Sequence, residues 1–210
     1  MFYGTLIIIS ISIPMFIIAS IKDKHAHKKN LEEIKTTIEK LPDFTLSFQY
    51  VGDDGASAIV FDEPNAKVCL LHRDAGGLKH RFVTYKDIIS SELCEDGTIT
   101  TKIARSSQIG GAVVGGMLLG EAGAVIGALS GKKVEENKIN RIELRLIVND
   151  TSEPTYSLCF LNAECLKGDA YYNYKAKEAR QWQARMEVLI NRAERESSGE
   201  QRSNNNATRP

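Results

Sequence analysis

Residues 1–21, MFYGTLIIISISIPMFIIASI, carry no charged side chain. About 20 apolar residues suffice for a helix to cross the hydrocarbon core of a bilayer. The pattern therefore predicts a transmembrane anchor over 1–21, with Pro14 tolerated as a kink. Lys22, Lys24, Lys28 and Lys29 follow at once, and nothing basic but the amino terminus precedes the run. This asymmetry predicts an N-terminus outside an inner membrane and the rest of the chain in the cytoplasm. A cleaved signal would put its basic residues before a shorter apolar core and a small-residue site after it. The charges here lie on the other side.

Residues 22–42 read as a basic juxtamembrane helical stalk. Leu31, Ile34, Ile38 and Leu41 recur at spacings of three and four, between Asn30 as a start signal and Pro42 as a stop. Under two heptads is short for a coiled coil, so the stripe either pairs with a copy of itself or packs on its own domain. The period then changes to two. FTLSFQYV alternates, and ASAIVFDE, AKVCLLHR, HRFVTYKDI, SSELCED, TITTKIA, INRIELRLIV and TYSLCFL continue the series across turns such as EPNA and EDGT. Short strands at such intervals predict an antiparallel sandwich or barrel. A helix over 172–196 follows, with Ala179, Trp182, Met186, Leu189 and Ala193 as its apolar stripe. Residues 197–210 lack apolar content and are expected to be a disordered tail.

One block breaks the strand series. Residues 109–131 carry Gly111, Gly115, Gly116, Gly120, Gly123, Gly127 and Gly131, with Glu121 their only charge. Glycines four apart lie on one helix face and let another helix approach closely. The block is expected to be a helical hairpin, 107–119 and 122–131, that enters the membrane, joins other copies, or packs on its own barrel. A full crossing would separate the strands on either side of it. Lys102 and Arg105 before it, and Lys132 and Lys133 after it, place both flanks on one side. ALSGKKV lacks the Ser or Thr that a phosphate-binding loop needs after its lysine.

Composition adds exclusions. The chain has 27 basic and 27 acidic residues, which gives no reason to expect nucleic acid. Cys69, Cys94, Cys159 and Cys165 show no paired spacing, so they read as reduced residues, two of them inside apolar strands. His25 and His27 lack nearby metal partners. His72 and His80 flank RDAGGLK near Asp74, a loose association without a nucleophile. Asp53, Asp54, Asp62 and Glu63 fall in turns, where Asp satisfies local backbone donors. No catalytic, cofactor or metal site is expected, and the chain reads as a non-enzyme.

AIVFDEPNAKVCLL, YKDIISSELCEDG, the glycine block ending GALSGKK, IELRLIVNDTSEP and the helix with ARQW together resemble a family of bacterial membrane-anchored proteins. In that family a pleckstrin-homology-like domain is interrupted by a glycine-zipper hairpin. The resemblance covers roughly residues 44–195 and implies an α+β fold: a seven-stranded antiparallel barrel or sandwich within 43–196, capped by a C-terminal amphipathic helix. It implies a membrane context, with some members near mobile elements, and brings no activity and no functional residues. The expected function is a membrane-tethered interaction or lipid-sensing module, in envelope homeostasis or phage defence. The alternative is a structural subunit packed against a multi-span partner. Membrane lipids, further copies of the chain or a membrane protein are the expected partners, with the four lysines 22, 24, 28 and 29 facing headgroups.

Overall fold

A computed structural model describes residues 24–105 and 138–207, with side chains described to residue 199. Helix α1 occupies 24–39. Eight strands follow: β1 (Phe48–Val51), β2 (Ser57–Asp62), β3 (Lys67–Asp74), β4 (Gly77–Thr84), β5 (Ile88–Glu95), β6 (Thr98–Ala104), β7 (Lys138–Val148) and β8 (Thr155–Leu166). Helix α2 (Ala170–Ala207) ends the described chain. The strands form two antiparallel four-stranded sheets, ordered β1-β2-β3-β4 and β6-β5-β7-β8.

This corrects the expected architecture of an N-terminal transmembrane helix followed by a seven-stranded barrel. Among the described residues there are eight strands in two separate sheets. The additional strand, β1, is a four-residue edge cut from the alternating run FTLSFQYV. Among the described residues no helix is long and apolar enough to cross a membrane, and the segment expected to do so, 1–21, lies outside them.

Alternation decides the layers, because successive strand residues point to opposite faces. Ile59, Phe61, Val68 and Leu70 of the first sheet meet Leu144, Leu146, Val148, Leu158 and Phe160 of the second in the main core. Ala58, Val60, Cys69 and Leu71 point the other way and lie under Ile34 and Ile38 of α1. Of the two placements its stripe allows, α1 thus packs on its own domain. It is already helical at residue 24, so Asn30 does not start it. The centre of the first sheet is covered on both faces, which is why all six residues of β2 are buried, whereas most of β4 at the edge is exposed or half-buried.

The α2 stripe, extended by Ala176 and Ile190, is buried against the main core. Trp182 packs edge-on to Phe61 at 5.2 Å and to Tyr50 at 5.9 Å between ring centroids. The helix begins before residue 172 and runs on to Ala207, through most of the stretch expected to be a disordered tail. Nucleation is the costly step in helix formation, so a helix fixed by a packed stripe propagates beyond it.

The two sheets are stitched where β8 crosses the start of β2. The Tyr156 hydroxyl donates to Ala58 O at 2.6 Å, and Cys159 N donates to Ser57 Oγ at 3.1 Å. Both β6 and β7 pair antiparallel with β5, so they run parallel to each other. Ala104 ends β6 opposite Ser90, whereas β7 meets Glu95 at Ile142. The chain between them is therefore attached at opposite ends of β5, on the order of 17 Å apart at the strand rise. The expected hairpin, 107–119 and 122–131, lies outside the described residues.

Candidate functional site: a cleft between the sheets

At the corner where the first sheet meets the β7–β8 turn lies an open cleft of about 510 Å³. Its walls come from β3 (His72, Arg73), β4 (Arg81), the β1–β2 loop (Asp54) and the turn carrying Ser152 and Glu153. A shallower extension takes in Lys79, His80 and Asp150.

Each charged wall is fixed by a partner. Arg81 donates from Nη1 to Asp150 Oδ2 at 2.8 Å, and its Nε lies 3.8 Å from Glu153 Oε2. Asp150 Oδ1 accepts from the backbone of Ser152 and Glu153, so the turn is wound around this carboxylate. Those backbone bonds, followed by Arg81, hold the Asp150 carboxyl below its ordinary range. Arg73 donates to Glu33 of α1 at 2.8 Å. Asp54 Oδ1 accepts from Ala56 N, Ser57 N and Ser57 Oγ, and Arg141 lies 3.5 Å from Oδ2. The Nε–H groups of Arg73 and Arg81 are buried and make no hydrogen bond. Residues Ser152, Thr155 and Ser157 add hydroxyls to the lining. Such a cleft presents prearranged donors and acceptors of both signs. That suits recognition of a polar ligand, since its groups need no reordering on binding.

The histidine reading is not assembled here. The Asp74 carboxylate is taken by Lys79 at 2.6 Å and by Gly76 N at 2.7 Å. These bonds, led by the one from Lys79, hold it below its ordinary value. His80 lies edge-on to Phe82 at 5.6 Å, and His72 lines the cleft. No hydrogen bond joins either ring to a serine, threonine or cysteine among the described residues. Among those residues no group of three or more His, Cys, Asp or Glu is placed to hold a metal.

Next to the cleft, the outer face of the second sheet carries a ladder of alternating charge. Lys102 meets Glu92 at 2.7 Å, and Arg145 lies 3.8 Å from Glu92 and 2.9 Å from Glu143. Arg141 meets Glu143 at 2.9 Å and continues to Asp54. Burial alone would raise the Glu143 carboxyl, but the hydrogen bonds from Arg141 and Arg145 outweigh it and hold it low. Glu92 is only 5% exposed. The cue in the sequence was the R-x-E-x-R spacing of INRIELRLIV opposite its apolar face.

Of the lysines expected to face headgroups, Lys24, Lys28 and Lys29 are exposed on the first turns of α1. Lys22 and Gly111, Gly115, Gly116, Gly120, Gly123, Gly127 and Gly131 lie outside the described residues. The cleft residues Arg73, Arg81 and Asp150 went unread, because no local pattern joins them.

The SPbeta prophage-derived uncharacterized membrane protein YomJ of Bacillus subtilis (strain 168) is 26% identical over 179 residues, covering 79% of this chain and 77% of that protein. The Immunity protein of Bacillus phage SPbeta is 26% identical over 178 residues, covering 79% of this chain and 86% of its own. No solved structure matches the chain. Residues 47–162, more than half of the 210, match the family described as "Glycine zipper containing PH domain", and the chain belongs to that family.

Proposed function

We propose that this protein is a non-enzymatic, membrane-associated binding module that acts in immunity between phage and host. The cleft between the sheets is its recognition site. The observation that carries this reading is the state of the cleft charges. Arg81 is committed to Asp150, Arg73 to Glu33, and Asp54 to the Ser57 turn. Groups held this way fix the shape and polarity of a binding surface, whereas proton transfer asks for a group poised to change charge. Membrane association is supported by the relative that is a membrane protein, and immunity by the relative that carries that name. A cytoplasmic face for the domain agrees with its four free cysteines and its exposed α1 lysines.

The test is made in a Bacillus host challenged with a phage related to SPbeta. The full chain is expected in the membrane fraction and lowers phage plating at least tenfold. Arg81→Glu, present in membranes at the same level, restores plating. Unchanged plating with wild-type protein in the membrane would overturn the immunity reading. Full protection by Arg81→Glu would remove the cleft from it, and recovery of the chain in the soluble fraction would remove the membrane.

A further inference from the structure

One corner of the fold gathers exposed aromatic, apolar and basic side chains that the cleft does not use. Strand β8 ends at Leu166 and α2 starts at Ala170. Around that turn Leu166 is 49% exposed, Tyr171 47% and Tyr174 57%. Both tyrosine hydroxyls are anchored, Tyr171 to Asp53 at 3.2 Å and Tyr174 to Glu178 at 3.1 Å. Lys175 Nζ sits 5.9 Å from one ring centroid and 5.5 Å from the other, and its own charge is met by Asp53 at 2.7 Å. The rings are thus held in place on an open surface, although a core residue of their size would be covered.

The start of α1 lies across a shallow groove from this turn. His27 and Leu31 line one side, Asn162 and Tyr171 the other, and the β1–β2 loop forms the floor with Gly52 and Asp53. Adding a Cβ to Gly55 would bring it within 2.8 Å of His27 Nδ1, which measures how closely α1 seats against that loop. Lys24 and Lys28 lie on the side of α1 that carries His27 and Leu31, and Lys29 is exposed on the same first turns. Strand β7 begins at this corner too, Lys138 lying opposite Leu166, shortly after Lys132 and Lys133 in the sequence.

We infer that this corner, Leu166, Tyr171 and Tyr174 flanked by Lys24, Lys28 and Lys29, is the face the domain lays against an anionic lipid surface. Tyrosine is suited to the headgroup level because its ring is apolar and its hydroxyl polar. An exposed leucine beside it gains by entering the acyl boundary. Each lysine close to an anionic leaflet strengthens binding about fivefold. Lysine is depleted in protein–protein contacts relative to the rest of the surface, whereas anionic headgroups attract it. Residues 1–21, two positions before α1, carry no charged side chain.

The inference rests on the membrane reading given above, and its test separates the two. The full chain is reconstituted into nanodiscs containing phosphatidylglycerol, with a photo-crosslinking residue placed at 166, 171 or 174. Controls carry it at Phe82 or Val188, which are 43% and 48% exposed on other elements. Lipid adducts at the three corner positions should exceed the controls at least fivefold. With Lys24→Glu, Lys28→Glu and Lys29→Glu combined they should fall at least tenfold on anionic discs, and little on phosphatidylcholine discs. Equal adducts at corner and control positions overturn the face while leaving membrane association standing. Adducts to polypeptide instead of lipid at 171 and 174 overturn it in favour of a protein partner. Failure of the chain to enter any disc overturns both.

Discussion

Replacing Glu143 by glutamine tests the charge ladder directly. Its carboxylate takes one hydrogen bond from Arg141 Nε and one from Arg145 Nη2, both at 2.9 Å. The side chain is 12% exposed, and those of the two arginines 38% and 30%. Hydrogen bonds to charged groups contribute about 1.5–3 kcal/mol each when well buried. Partial exposure of the arginines screens that figure, to about 1 kcal/mol per bond. Glutamine keeps one acceptor and turns an N–H₂ donor toward a guanidinium, so the variant should lose about 2 kcal/mol at pH 7. In a domain of this size that lowers Tm by about 4–8 °C. The pH course follows from the depressed carboxyl. A group held below its unfolded value stabilises the fold fully above that value, and the contribution disappears as pH falls through the folded one. The Tm gap should hold steady from pH 7.5 to about 5.5 and close below about 4.5, near the unfolded glutamate value. Thermal unfolding of both full-length proteins, followed by circular dichroism from pH 7.5 to 3.5, measures it. A gap absent at pH 7.5, or one that persists undiminished at pH 3.5, refutes the reasoning.

Two further predictions concern the interior. Gln183 is 4% exposed; its Oε1 accepts from Ser91 Oγ at 2.7 Å and its Nε2 donates to Ser91 O at 3.1 Å. Gln183→Leu should cost about 2–4 kcal/mol by leaving both Ser91 groups unsatisfied, and Ser91→Ala in the same chain should recover part of it. Strictly additive losses in denaturant unfolding would show the pair is not coupled. Burial pushes the Cys69 and Cys159 thiols up to about 12, whereas Cys165 is the one cysteine that is not fully buried. Iodoacetamide on the native protein should therefore label Cys165 first and reach Cys69 and Cys159 only on unfolding. Labelling of Cys69 as fast as Cys165 would contradict the packing of α1 over the first sheet.

What the sequence disclosed depended on how far apart the cooperating residues lie. The α2 stripe is a local pattern, so Ala179, Trp182, Met186, Leu189 and Ala193 were legible and are buried together. The turns were legible for the same reason. Asp96 and Gly97 take positive φ of 45° and 79° in EDGT, a conformation that favours such residues. The cleft has no local signature. Arg81 and Asp150 are 69 positions apart, and Ser57 and Cys159 are 102 apart. Only the crossing of β8 over β2 brings these groups to one corner. The far end of α2 misled for an energetic reason. Composition measures whether a segment can bury enough to fold alone, and residues beyond Glu196 do not need to, since they extend a helix already secured by its core.

Strand pairing was the other limit. Period-two alternation identifies the inner face of each strand but not its neighbour. The helical hairpin expected at 107–119 and 122–131 lies outside the described residues, and consecutive strands of a series are ordinarily neighbours. Yet β7 adds beside β5 and leaves β6 at the edge, so Ala104 and Lys138 sit at opposite ends of the same ladder. A connection between parallel strands needs a crossover, which is a different demand from that of a hairpin. Shortening the chain between them therefore tests the sheet order. If β6 and β7 are parallel, replacing 106–137 by a four-residue turn should disrupt the second sheet, because four residues reach about 14 Å fully extended and must still reverse direction at both ends. A stable, cooperatively folding domain with that turn would mean that β6 and β7 are antiparallel neighbours and would overturn the order β6-β5-β7. The length of chain between Ala104 and Lys138 would then not be something the sheet order requires.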